Sequence, residues 1–212
     1  MRGRVPVARF RAMAAVWAVS ALAIMCLLSA CDVVRDVGAA AAGPFRGVEL
    51  AEPAQAPPLV LATADGGTFD LAEERGRVVL LFFGYTHCPD ICPTTLSDWA
   101  TVADSLGEDA ARVRFVFVSV DPERDTPDVA RSYAARFNPA FLGLTAPDSV
   151  TARLRGSLNL VAQAEPTEIE GEYGVAHSSQ VFLVDPEGRL RLLYPFGSTA
   201  QDMLLDVRRL LR

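Results

Sequence analysis

The unbroken apolar run Val78-Val79-Leu80-Leu81-Phe82-Phe83 constrains this chain most, because a strand with large side chains on both faces must be covered from both sides. It leads into Gly84-Tyr85-Thr86-His87-Cys88-Pro89-Asp90-Ile91-Cys92-Pro93, and beyond Pro93 apolar residues at 96, 99, 102, 103 and 106 keep helical spacing. Cys88 and Cys92 therefore sit in the turn between a central strand and a helix start. Two inert core cysteines are the alternative, and adjacent prolines in a loop are a poor place to pack a core.

Pro93 disfavours helical backbone at Cys92, which predicts Pro93 at the first helical position and Cys92 at the cap. A thiol there would meet unpaired amides and the positive end of the helix dipole, so Cys92 is expected to titrate below the ~8.5 of a free thiol. Three intervening residues make the loop looser than a Cys-x-x-Cys and leave room for an ion between the sulfurs.

Residues 1–30 read as an export signal. Arg2, Arg4, Arg9 and Arg11 precede an uncharged stretch from Ala12 to Leu28, and Leu28-Ser29-Ala30-Cys31 resembles a bacterial lipobox. The expectation is a lipoprotein signal peptide over 1–30, lipid on Cys31, and a domain anchored to a membrane of the bacterial cell envelope on the extracytoplasmic side. An uncleaved helix is the alternative, since about 17 apolar residues reach the lower limit for a span. Cleavage would remove Cys26 and lipid would occupy Cys31, leaving Cys88 and Cys92 as the free thiols. A bridge closing so short a loop would constrain the unfolded chain little, so the pair is there for chemistry. The mature chain would carry 16 Arg, no Lys and 26 Asp plus Glu, a formal charge of −10. That argues against nucleic acid as a partner.

Composition from 31 to 55 is rich in Ala, Gly and Pro and reads as a lipidated flexible tether. Residues 56–212 suffice for one domain. Strands are predicted at Leu59–Leu61, Val78–Tyr85, Val113–Val120, Gln180–Asp185 and Leu190–Tyr194, with a short apolar segment near Phe141–Leu144 as a further candidate. Helices are predicted at Thr94–Leu106, Pro127–Phe137, Pro147–Leu158 and Thr199–Arg212. This order fits an α/β thioredoxin-like domain, a central mixed sheet flanked by helices, with the cysteine turn where that fold keeps its dithiol.

His177 precedes the strand Gln180–Asp185, where such folds usually carry a cis-proline facing the cysteines, and no proline occurs between Pro166 and Pro186. An imidazole beside two thiolates makes a soft site suited to Cu(I), and the same set can hold Cu(II). Zn(II) would want a fourth ligand. A loop histidine bonded to Ser178 and Ser179 is the bland alternative. His87 is a weaker candidate, expected to point away from the pair. Asp121 and Asp125 could form an oxygen-rich site, but turn and helix-cap roles are favoured.

The segment Phe83–Pro93 resembles the core motif of the Sco/SenC family of copper chaperones for cytochrome c oxidase. Ser119–Pro127 resembles its second motif, and His177 with Phe182–Gly188 its third. The resemblance implies copper ligands at Cys88, Cys92 and His177, with the copper-site subunit of a cytochrome oxidase as recipient and a periplasmic copper donor or thiol reductant as a further partner. Ala176 departs from the polar or acidic residue that members often carry there, which bears on tuning of the imidazole. A dedicated thiol–disulfide reductase, with Cys88 and Cys92 as redox pair, is the second reading. A peroxidase is a third, but no activating cluster around one cysteine is legible.

Overall fold

In the computed structural model of the chain, residues 45–168 and 172–212 are described; residues 1–30, expected to be a signal peptide, and Cys31 lie outside them. The strands are β1 (Val48–Gln55), β2 (Val60–Ala62), β3 (Thr68–Asp70), β4 (Val78–Gly84), β5 (Val113–Ser119), β6 (Leu142–Thr145), β7 (Ala162–Pro166), β8 (Tyr173–His177), β9 (Val181–Val184) and β10 (Arg189–Tyr194). The helices are α1 (Ile91–Leu106), α2 (Pro127–Ala135), α3 (Asp148–Leu158) and α4 (Ala200–Leu210).

Six strands form one mixed sheet in the order β1-β10-β9-β4-β5-β6. β4, β5 and β6 run parallel, whereas β9, β10 and β1 add antiparallel pairings. β4 is central and all seven of its residues are buried, as the apolar run requires. Phe82 and Phe117 are register partners on one face; Trp99 of α1 meets Phe82 edge-on at 6.3 Å and Tyr133 of α2 lies 5.3 Å from Phe117. Both parallel crossovers thus place their helices on that face, as right-handed connections must. On the opposite face Leu154 and Leu158 of α3 close over Leu81, Phe83 and Phe182.

Three expectations are corrected. The segment expected to be a tether does not reach residue 55, because 48–55 form the edge strand β1, paired with β10. Its entry is fixed by the buried Asp206 of α4, which accepts the backbone N–H groups of Arg46 (2.9 Å) and Gly47 (2.8 Å) and the Tyr194 hydroxyl (2.9 Å). A register shift between Glu49 and Ala54 accommodates Pro53, which only an edge strand tolerates. The first long helix begins at Ile91, with Asp90 as cap, and not at Pro93. Pro93 is its third residue, where the missing N–H has no helical partner to lose; the first α-type bond runs from Thr94 N to the Asp90 carbonyl at 3.2 Å. Finally, His177 closes a strand of its own, β8, which pairs with β7 in a two-stranded ribbon separate from the main sheet.

Candidate metal centre

Placing Cys92 inside the first turn of α1 changes which sulfur the helix end serves. Its backbone N–H donates to Cys88 Sγ at 3.5 Å. Both thiols are free and buried, with Cys92 wholly enclosed. The Cys92 thiol donating to Cys88 holds the Cys88 pKa well below the ordinary thiol range, helped by His177 and by the amides of Cys92 and Asp90. The same hydrogen bond, with burial added, pushes Cys92 upward. The expectation of an acidic Cys92 is therefore reversed: Cys88 is the thiolate of the pair.

His177 arrives at the end of β8 with its ring held edge-on between Phe82 (5.9 Å) and Tyr85 (5.6 Å). Its Nδ1 lies 3.0 Å from the Ser178 carbonyl oxygen, which can only accept, so Nδ1 carries the proton. Nε2 is left to face Cys92 Sγ at 3.7 Å. This backbone partner fixes the tautomer and ring orientation as the outer shell of a ligating histidine does. Burial works to lower the His177 pKa, but the Cys88 sulfur and the Ser178 carbonyl outweigh it and the net shift is upward. The donor atoms of Cys88, Cys92 and His177 all lie within 4.8 Å of one another.

Room for the inner sulfur comes from Gly84. A Cβ there would stand 2.5 Å from Cys92 Sγ, so the last residue of β4 has to lack a side chain. His87 is not brought to the cluster; it is half exposed, with Nδ1 3.2 Å from Thr86 Oγ1 and 3.7 Å from Asp125 Oδ1. Asp121 and Asp125 form no oxygen site. Asp125 is fully buried and accepts from Thr86 N (2.8 Å), Thr86 Oγ1 (2.6 Å) and Ser119 Oγ (2.5 Å), fastening the cysteine loop to the end of β5. The cap of α2 is Thr126, which accepts from Val129 N. Gly84, Tyr85 and Ser178 were not singled out from sequence as site residues, although Ser178 flanks His177 and the other two lie within the segment Phe83–Pro93 that carries the cysteines.

Two buried thiols at a strand-to-helix turn, met by an imidazole beside a mixed sheet with helices on both faces, define a thioredoxin-like domain whose dithiol has been extended to a soft three-donor cluster. Residues 49–212 match the SCO1/SenC family model, and the chain belongs to that family. It is 39% identical over 136 residues to a putative copper-binding protein of Stutzerimonas stutzeri, covering 64% of this chain and 66% of that one. It is 35% identical over 160 residues to the mitochondrial SCO2 homolog of Bos taurus, covering 70% of this chain and 60% of the relative. Among solved structures, the apo Sco1 solution structure from Thermus thermophilus superposes with a TM-score of 0.71 at 37% identity, covering 81% of this chain and 99% of that one. Copper-bound ScoI of Bradyrhizobium japonicum superposes with a TM-score of 0.67 at 35% identity, covering 74% and 100%.

Proposed function

We propose that the chain is a membrane-tethered copper metallochaperone that holds one copper ion through Cys88, Cys92 and His177 and delivers it to the dinuclear copper centre of a terminal cytochrome oxidase. The observation that carries this reading is the convergence of two sulfurs and one oriented imidazole nitrogen within 4.8 Å. Two thiolates and a nitrogen at low coordination suit Cu(I), and the set can also hold Cu(II). Copper-bound ScoI and the Stutzerimonas relative support the choice of metal. A Sco structure described as that of a cytochrome c oxidase assembly protein, 25% identical with a TM-score of 0.60, supports the recipient. Copper is cargo here. The recipient's soft ligands replace Cys88, Cys92 and His177 one at a time, and the dithiol has to be reduced before loading because a disulfide offers no thiolate.

A second reading is favoured by the free pair with Cys88 as the thiolate: reduction of the recipient's own disulfide, with Cys88 and Cys92 becoming a disulfide in exchange. Assembly of the oxidase copper centre in cells carrying His177→Ala separates the two. Chaperoning predicts poor assembly at low copper and rescue by added copper; full assembly at low copper would contradict it, since a reductase does not need the imidazole. Tethering through a lipid on Cys31 predicts a mature protein beginning at that residue. Mass spectrometry finding 1–30 retained would replace the lipid with an uncleaved helix.

A further inference from the structure

The segment Asp121-Pro122-Glu123-Arg124-Asp125 belongs to neither arm of the cluster, yet it grips both. Asp125 holds the cysteine arm through Thr86, as described above. Four residues earlier in the same turn, Asp121 holds the histidine arm: its Oδ2 accepts from Arg124 Nε at 2.6 Å and its Oδ1 from the Tyr173 hydroxyl at 2.7 Å. Arg124 then donates from Nη1 to the Tyr173 carbonyl at 2.9 Å, and its guanidinium carbon lies 3.6 Å from the Tyr173 ring centroid and 5.7 Å from that of Tyr85. Asp121, Arg124 and Tyr173 thus form a closed ring at the start of β8, the strand that ends in His177. Tyr85, whose ring also lies beside the guanidinium, is one wall of the slot holding the imidazole.

This ring carries weight because, among the described residues, no strand of the main sheet pairs with the ribbon β7–β8. The bonds from Ser178 N to the Val161 carbonyl (3.0 Å) and from Val161 N to Ser178 Oγ (2.8 Å) join the ribbon's two sides to each other. Arg155 donating to the Ala162 carbonyl at 2.6 Å ties β7 to α3 at the register position opposite His177. The Arg124 ring ties the histidine arm to the segment that fastens the cysteine arm, beside the hydrogen bond between the Tyr85 hydroxyl and the Val175 backbone. A planar fork, stacked on one face and bonded at two edges, sets a position in a way that a point charge cannot.

We infer that Arg124 is a positioning residue for His177: with Asp121 and Tyr173 it sets the distance between the imidazole and the two sulfurs, so that copper affinity depends on a side chain that does not touch the metal. The inference rests on the copper reading above. Removing a partner of this kind weakens metal affinity by about tenfold or more. Because Arg124 acts through His177, its effect vanishes once the imidazole is gone.

The test is a double-mutant cycle on the reduced protein, titrated anaerobically with Cu(I) against a chromophoric chelator, with the imidazole contribution to the X-ray absorption spectrum as second readout. Arg124→Ala should lose affinity and imidazole signal, and the Arg124→Ala/His177→Ala double variant should bind no more weakly than His177→Ala alone. Tyr173→Phe, which removes one hydroxyl and leaves the stack, should show a smaller loss that is equally silent in the His177→Ala background. Arg124→Lys should not restore the wild-type signal. Losses that multiply in the double variants, or an intact imidazole signal in Arg124→Ala, would overturn the inference while leaving the copper site standing. Wild type loading without a nitrogen ligand would overturn both.

Discussion

Gly84 is the position where one methyl group tests the geometry of the cluster. The Cβ of Gly84→Ala would lie 2.5 Å from Cys92 Sγ, 3.1 Å from Phe117 Cε2 and 3.2 Å from Phe82 Cε1. Comfortable heavy-atom contact is about 3.5–4.0 Å, so the methyl intrudes on the sulfur by roughly 1 Å and on each ring by only a few tenths. Cys92, Phe82 and Phe117 are all fully buried, and none can swing into solvent. Overpacking of this kind costs about 1–3 kcal/mol, and here relief comes mainly from turning the sulfur away from His177. Urea denaturation of the reduced, metal-free protein should therefore show a lowered midpoint with unchanged slope, together with weakened Cu(I) binding. Gly156→Ala is the control: nothing lies within 4 Å of that Cβ, and it sits inside α3. That change should stabilise by about 0.5–1 kcal/mol and leave copper untouched. A Gly84→Ala protein with wild-type midpoint and affinity would refute the packing of Cys92 against β4. A lowered midpoint with unchanged affinity would show that the rings yield and the sulfur stays.

Asp125→Ala removes the acceptor of three hydrogen bonds in a fully buried position and strands Thr86 N, Thr86 Oγ1 and Ser119 Oγ; a loss of about 3 kcal/mol or more is expected by urea denaturation, with faster amide exchange in the cysteine loop. The Cys88 pKa is lowered on folding, so its contribution to stability is complete above the unfolded thiol value near 8.5 and is lost as the pH falls toward the folded value. Across that window the unfolded chain binds the extra proton, so the urea midpoint of reduced, metal-free wild type should rise more steeply with pH than that of Cys88→Ser. Equal slopes would remove Cys88 as the thiolate. Cys92, shifted upward, works in the opposite sense and reduces stability as the pH rises above about 8.5.

How much of this was legible in the sequence depended on whether the signal was local. β4 announced itself because a strand buried on both faces needs large apolar residues at every position, and Val78–Phe83 supplies them. The helix start at Pro127 is likewise local chemistry and stands where expected. β1 was not legible: Val48–Gln55 has no alternation and contains Pro53, and it becomes a strand through pairing with β10 and through Asp206, 160 residues from Arg46. The start of α1 lies two residues ahead of the expected one because the first turn of a helix needs no amide donors, so Pro93 is accommodated as its third residue despite the usual preference of the residue before a proline. That one shift of register moved the helix-end amide from Cys92 to Cys88. The cysteine pair stood out by its spacing and His177 by its place ahead of β9, where a thioredoxin-like fold usually carries proline, whereas the Arg124 ring joins residues 121, 124 and 173 and has no local signature.

The most direct measurement of the central claim is the copper content and coordination of the reduced protein, compared with Cys88→Ser, Cys92→Ser and His177→Ala. One ion per chain should be bound by two sulfurs and one nitrogen in the X-ray absorption spectrum, each cysteine variant should lose tight binding, and His177→Ala should retain a weakened, sulfur-only site. Tight binding that survives loss of either cysteine, or a copper environment unchanged by removal of the imidazole, would contradict the account.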